Sequence, residues 1–161
     1  MLDEITYGRI YMNDVFIRKA GKPDLPAIEK LLMKLIESMD SKKGIDTNAV
    51  IENCRNLLSD LNTHILVAEA DGTIIGFINF TIRKTLLHSA PSGLIDELVV
   101  ATDYRGKGVG KKLIHAAIEQ CKQLGCCEVE VSTELANANA REFYRSCGFD
   151  ERGVILEKDL P

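Results

Sequence analysis

Long apolar runs are missing from this sequence: the stretch around Val99 to Ala101 falls far short of the roughly 20 residues a bilayer-spanning helix needs, so no membrane span is expected. Positive charge is not in excess either. A formal net charge of -4 and a pI near 5.4 exclude a nucleic-acid binder that works through a general basic field. Basic residues gather only around Arg105, Lys107, Lys111 and Lys112, enough for one small polyanion. The five cysteines, Cys54, Cys121, Cys126, Cys127 and Cys147, are an odd number, and none stands at the CxxC spacing of a zinc or thioredoxin-like site. With no recognisable secretory signal, they are expected to be reduced thiols in a cytoplasmic protein without a metal. Repeats, low-complexity tracts and interdomain linkers are absent as well.

What is present fits one soluble domain. Apolar residues make up 45% and charged residues 27% of 161, a length at which folding buries roughly 70% of the unfolded chain's surface. Residues 1–14 show no period and are expected to be a leader, with the domain spanning 15–161. A first strand is expected at Val15 to Lys19. Leu25, Ile28, Leu31, Leu32, Leu35 and Ile36 recur at steps of three and four, which predicts a helix from Asp24, as N-cap, to Met39. A second helix follows from Thr47 through Leu61, and the two together would suit a lid.

Two apolar runs, His64 to Ala70 and Thr73 to Ile82, flank Asp71-Gly72, a strong hairpin signal because both turn residues must accept positive φ. A buried strand is expected from Gly93 to Ala101. A helix then begins after a glycine-rich loop and stops at Gly125. A half-exposed strand at Cys127, Val129 and Val131, a helix from Ala136 to Ser146, and a strand or hairpin over Phe149 to Lys158 complete the chain. The fold class is α+β, in the order βααβββαβαβ.

The loop Arg105-Gly106-Lys107-Gly108-Val109-Gly110 lies between a buried strand and an amphipathic helix, where helix N-terminal N–H groups attract an anion. Spacing decides among three phosphate-binding motifs. A Walker loop needs a first Gly where Arg105 stands and a hydroxyl residue where Lys112 stands. A dinucleotide fingerprint needs Gly where Lys111 stands, on a repeated βαβ sheet. The pattern that remains is Arg-x-x-Gly-x-Gly, met by Arg105, Gly108 and Gly110.

A second pattern follows in NANAREFYRSCGF: Asn137, Ala140 three residues later, Tyr144 seven after the Asn, and closing Gly148-Phe149. With these two motifs in this order, the chain resembles the GNAT (Gcn5-related) N-acetyltransferase family, strongly from Ile95 to Phe149 and weakly before Ile65. The resemblance implies a single-domain GNAT fold, a mixed central sheet splayed at an acyl-CoA cleft with flanking helices. It implies transfer of an acetyl group from acetyl-CoA, the cosubstrate, to a primary amine in a ternary complex. Leu98, Val99 and Val100 would pair with the pantetheine amides, Arg105 to Lys111 would hold the pyrophosphate, and Asn137 and Ala140 would border the donor. The alternative is a CoA-binding regulatory module without turnover.

The chemistry requires a proton acceptor, because an alkylamine with a pKa near 10.4 is only about one part in a thousand neutral at pH 7. Asp96 and Glu97 are charges in an otherwise apolar strand, and alternation predicts one on each face. The resemblance favours Asp96 as base, with Glu97 as substitute or substrate anchor, and Tyr144 as the acid that protonates or positions the departing sulfur. His88 is a weaker candidate for contact with the amine, and His64 and His115 read as structural. Cys126, Cys127 and Cys147 read as small buried apolar groups. Glu37, Asp40, Asp46 and Asp60 would suit a cationic acceptor, whether small molecule or protein amine. Val154 to Glu157 is a segment able to pair across a homodimer.

Overall fold

A computed structural model describes residues 15–39 and 45–160, so the expected leader and Asp40 lie outside the described residues. The chain runs β1 (Phe16–Lys19), α1 (Leu25–Ser38), α2 (Thr47–Leu57), β2 (Thr63–Ala70), β3 (Thr73–Arg83), β4 (Ser92–Val100), α3 (Val109–Gln123), β5 (Glu128–Val131) and α4 (Ala138–Ser146). Asp71 and Gly72 take positive φ, 50° and 72°, and close the β2–β3 hairpin as their sequence predicts. The sheet order is β1-β2-β3-β4-β5, antiparallel except for the parallel β4–β5 pair, which α3 connects.

Two features of β4 shape the molecule. Asn79 faces Glu97 while Phe80 faces Ile95, so Asp96 is an extra residue in a β-bulge. Pairing with β5 ends at Ile95 opposite Val131, one residue before the bulge. From Asp96 to Val100, β4 therefore has a neighbour on its β3 side only, and the sheet opens into a cleft.

Each sheet face carries its own core. Ile78, Phe80 and Ile95 pack with Leu113, Ile114 and Ala117 of α3 on one face, flanked by Phe143, Tyr144 and Phe149. Ile65, Val67, Phe77 and Val99 pack with Ile28, Leu31 and Cys54 of the α1–α2 pair on the other. The three- and four-residue spacing in the helices and the alternation in the strands produce this division. Asp46 caps α2 by accepting from the Asn48 and Ala49 N–H groups. Asp24 does not cap α1 with its side chain. Its carboxylate accepts from the Arg18 guanidinium, at 2.8 Å to each oxygen, and from the Gly21 N–H.

The strand or hairpin expected over Phe149 to Lys158 does not form. Gly148, at φ 92°, ends α4, and Glu151 is tied to Arg141 and Arg145 on that helix, which holds the start of the tail beside α4. Without a neighbouring strand an apolar segment gains no ladder bonds. Val154 is 78% and Leu156 91% exposed. Leu61 lies beyond the end of α2 and is exposed, and Cys127 is exposed rather than buried because it opens the edge strand.

Candidate active site

The glycine loop and the start of α3 form one end of the cleft. The first bond of α3 runs from the Lys112 N–H to the Gly108 carbonyl, so the amides of Val109, Gly110 and Lys111 have no partner within the helix. Their partial positive charge, added to that of the helix dipole, suits a pyrophosphate. Gly108, the N-cap residue, sits at φ 80°, and Gly106 at φ 71°, in the region that favours glycine. Gly110 serves a different purpose: a Cβ there would lie 3.1 Å from Phe143 Cζ, so its absence lets α4 approach α3. Arg105 turns its Nε–H to the Val100 carbonyl at 3.0 Å and ties the loop to β4. Lys107 places its ammonium 5.5 Å from the centre of the Tyr104 ring.

Along β4, backbone direction alternates. The Ala101 N–H donates to the Ile75 carbonyl on the β3 side, and Val99 pairs with Phe77 on that side. Alternation then turns the amides and carbonyls of Leu98 and Val100 toward the cleft. Of the three residues expected to pair with an extended donor, Val99 has its polar groups engaged in the sheet.

Asp96 and Glu97 were expected on opposite faces. Both instead bond to one face of β3: Thr81 Oγ1 donates to Asp96 at 2.7 Å, and Asn79 Nδ2 donates to Glu97 at 2.6 Å. Asn79 and Thr81 are two residues apart on a regular strand and so share a face, that of Phe77 and the α1–α2 pair. The bulge is the physical cause, since it cancels one step of alternation in β4. Asp96 is exposed, whereas Glu97 is half-buried, and burial pushes its carboxyl above the usual range while the Asn79 bond opposes that shift and Asp96 adds to it.

Tyr144 lies across the sheet from these carboxylates. Its ring packs edge-on against Phe143 and Phe149, at 5.2 and 5.9 Å between centroids, and burial raises its phenol. Asn137 caps α4: its Oδ1 accepts from the Ala140 N–H at 3.0 Å, which accounts for the three-residue spacing of that pair. Asn79 and Thr81 were missed in the sequence, although a polar Asn within the apolar run Ile74 to Phe80 is a readable signal.

The other candidates stand apart. His88 is exposed beside Thr85 and Glu128, and His64 stacks on Phe80 and contacts Gln120. Asp46 and Asp60 spend their carboxylates on backbone N–H groups, which leaves them no evident role toward a cationic acceptor. Among the described residues no group of three or more His, Cys, Asp or Glu is arranged to hold a metal, and no helix is long and apolar enough to cross a membrane.

A parallel pair splayed at a bulge, with an anion-binding helix N-terminus at one end and acid and base candidates on its two faces, defines an acyl-CoA-dependent N-acyltransferase. Residues 27–149 match the acetyltransferase (GNAT) family, and the chain belongs to it. It is similar to the aminoalkylphosphonate N-acetyltransferase of Salmonella typhimurium, at 29% identity over 89% of this chain and 90% of that protein. It is also similar to an aminoglycoside N(6')-acetyltransferase type 1 of Stenotrophomonas maltophilia, at 27% identity over 90% and 92% of the two chains. An aminoglycoside N-acetyltransferase solved in complex with CoA shares the fold, with a TM-score of 0.78 and 26% identity over 90% of this chain and 94% of that one. The chain is thus an acetyl-CoA-dependent enzyme that acetylates an amine.

Proposed function

We propose that the enzyme acetylates the primary amine of a small molecule by direct transfer, with donor and acceptor bound together from opposite faces of the splayed sheet. The observation that carries this reading is the disposition of Tyr144 on the α3 face and of Asp96 and Glu97 on the α1–α2 face. The amides at the start of α3 take the donor's pyrophosphate, and the backbone of Leu98 and Val100 pairs with the pantetheine as an added strand. Asp96, exposed and steadied by Thr81, anchors the incoming ammonium. Glu97 accepts the amine proton, because a carboxylate raised by burial is the stronger base of the two roles on offer.

The freed nitrogen lone pair forms the N–C bond at the thioester carbonyl, and collapse of the tetrahedral adduct breaks the C–S bond. The Tyr144 O–H gives its proton to the departing sulfur, and the amine proton held on Glu97 restores the balance through solvent. Most of the rate enhancement comes from holding thioester and amine in contact.

Small-molecule acceptors are supported by the relatives, whose names give aminoalkylphosphonates, glucosamine 6-phosphate and aminoglycosides as substrates. A homodimer is supported by the exposed Val154 to Leu156 segment and by β5, an edge strand with open backbone groups. The deciding experiment is an acetyl-CoA consumption screen over aminoethylphosphonate, glucosamine 6-phosphate, an aminoglycoside and a lysine peptide. Turnover of a small amine is expected, with Glu97→Gln lowering kcat/KM by about 10²- to 10⁴-fold, Tyr144→Phe lowering kcat, and Asp96→Asn raising KM for the amine. Tight CoA binding by calorimetry with no transfer to any amine would instead describe the regulatory module.

A further inference from the structure

Asn79 is 6% exposed at the middle of β3, flanked across the sheet by Ile65 and Glu97. Its Nδ2 donates to Glu97 Oε2 at 2.6 Å. Its Oδ1 is buried with no hydrogen-bond partner, the one such side-chain atom among the described residues. An unpaired buried carbonyl is costly, and a leucine of nearly the same volume avoids that cost in a strand whose other inward positions are apolar. The position thus keeps an amide at the expense of stability, and the bond that amide makes goes to one group of the reaction site.

We infer that Asn79 is a positioning residue for acyl transfer: its amide N–H holds the Glu97 carboxylate ionised and aimed along the α1–α2 face of the bulge. This inference rests on the reading of Glu97 as proton acceptor. The register is specific to the task, because the bulge brings Glu97, and not Ile95 or Leu98, opposite Asn79's face. Thr81 does the same for Asp96 one pleat further on, so the two carboxylates are held apart by separate donors on one strand.

The charged and titratable groups around Glu97 all oppose its ionisation. Asp96 is its neighbour on β4, and the Cys54 thiol of α2, itself raised by burial and by Glu29 and Glu97, covers it from the helix side. Glu29 of α1 is engaged by Arg55 at 3.5 Å. Against that surround the Asn79 N–H is the contact that favours the charged form.

The test compares the full-length enzyme with Asn79→Leu and Asn79→Asp, assayed from pH 5.5 to 9 on the best amine from the acceptor screen. Loss of the donor raises the Glu97 pKa, so the acid limb of kcat/KM should move up by about one pH unit or more in Asn79→Leu, and further in Asn79→Asp, where a like charge faces Glu97. The loss should be on the order of tenfold at pH 6 and small at pH 8.5, with KM for acetyl-CoA unchanged. In a Glu97→Gln background, Asn79→Leu should cost nothing further. A rate loss equal at every pH, or one that adds in full to that of Glu97→Gln, overturns the inference. If Glu97→Gln alone keeps full activity, the role of Glu97 is what fails. Carboxyl ¹³C titration of Glu97 in Asn79→Ser, a smaller change, reads the same shift without turnover. An unmoved titration there sinks the proposal even if the leucine variant does not fold.

Discussion

At the scale of single residues, three glycines in six positions do different jobs. Gly106 and Gly108 supply positive φ, while Gly110 supplies room for the Phe143 ring. Gly108→Ala should therefore cost about 1–2 kcal/mol through its left-handed backbone, read as a lower thermal midpoint in the free enzyme. Gly110→Ala should act on α4, because its Cβ forces Phe143 and with it Tyr144 to shift; a lower kcat with nearly unchanged CoA affinity checks this. The motif made the loop legible in the sequence, yet it gave no sign that its last glycine belongs to helix packing. Asp96 and Glu97 were legible as charges in an apolar strand, but their common face was not, because a bulge is a property of pairing with β3 and leaves no mark in the period of β4 itself.

At the scale of elements, α1 is fastened to the sheet by a charge network. Arg18 on β1 bridges Asp24, just before α1, and Glu69 on β2, each at 2.8 Å. The Arg18 hydrogen bonds hold the Asp24 carboxyl below the usual range, helped by the Gly21 N–H and opposed by burial. A depressed carboxyl contributes stability that is present above its unfolded pKa of about 3.9 and is lost as pH falls through the lower folded value. Asp24→Asn should then lower stability at pH 7 by about 1–2 kcal/mol, discounted for the part-exposed arginine, and the gap to the parent should narrow below about pH 4. Urea unfolding at pH 7 and pH 3 measures both. The helices were legible from apolar spacing because each buries one stripe against a sheet face. The C-terminal strand was misread because a β pattern states what a segment can pair with, not that a partner is within reach.

For the whole molecule, the exposed tail and the open β5 edge bear on assembly. Light scattering should find a dimer, and Ile155→Lys with Leu156→Lys should return it to a monomer that still binds CoA; a parent chain that is monomeric at every concentration defeats the tail-pairing reading. The family and the donor site were readable from two motifs in the last third of the chain, whereas the acceptor face, built by α1, α2 and the bulge, took shape only when distant segments met. The parting of β4 from β5 has one more consequence, in the time domain of solvent exchange. Between turnovers one strand carries two kinds of amide: Val99 and Ala101, locked against β3, and Leu98 and Val100, open to water. Deuterium should enter the second pair quickly and the first slowly, and saturating CoA should erase the difference, so that every other amide of a single strand keeps a record of whether the enzyme is loaded.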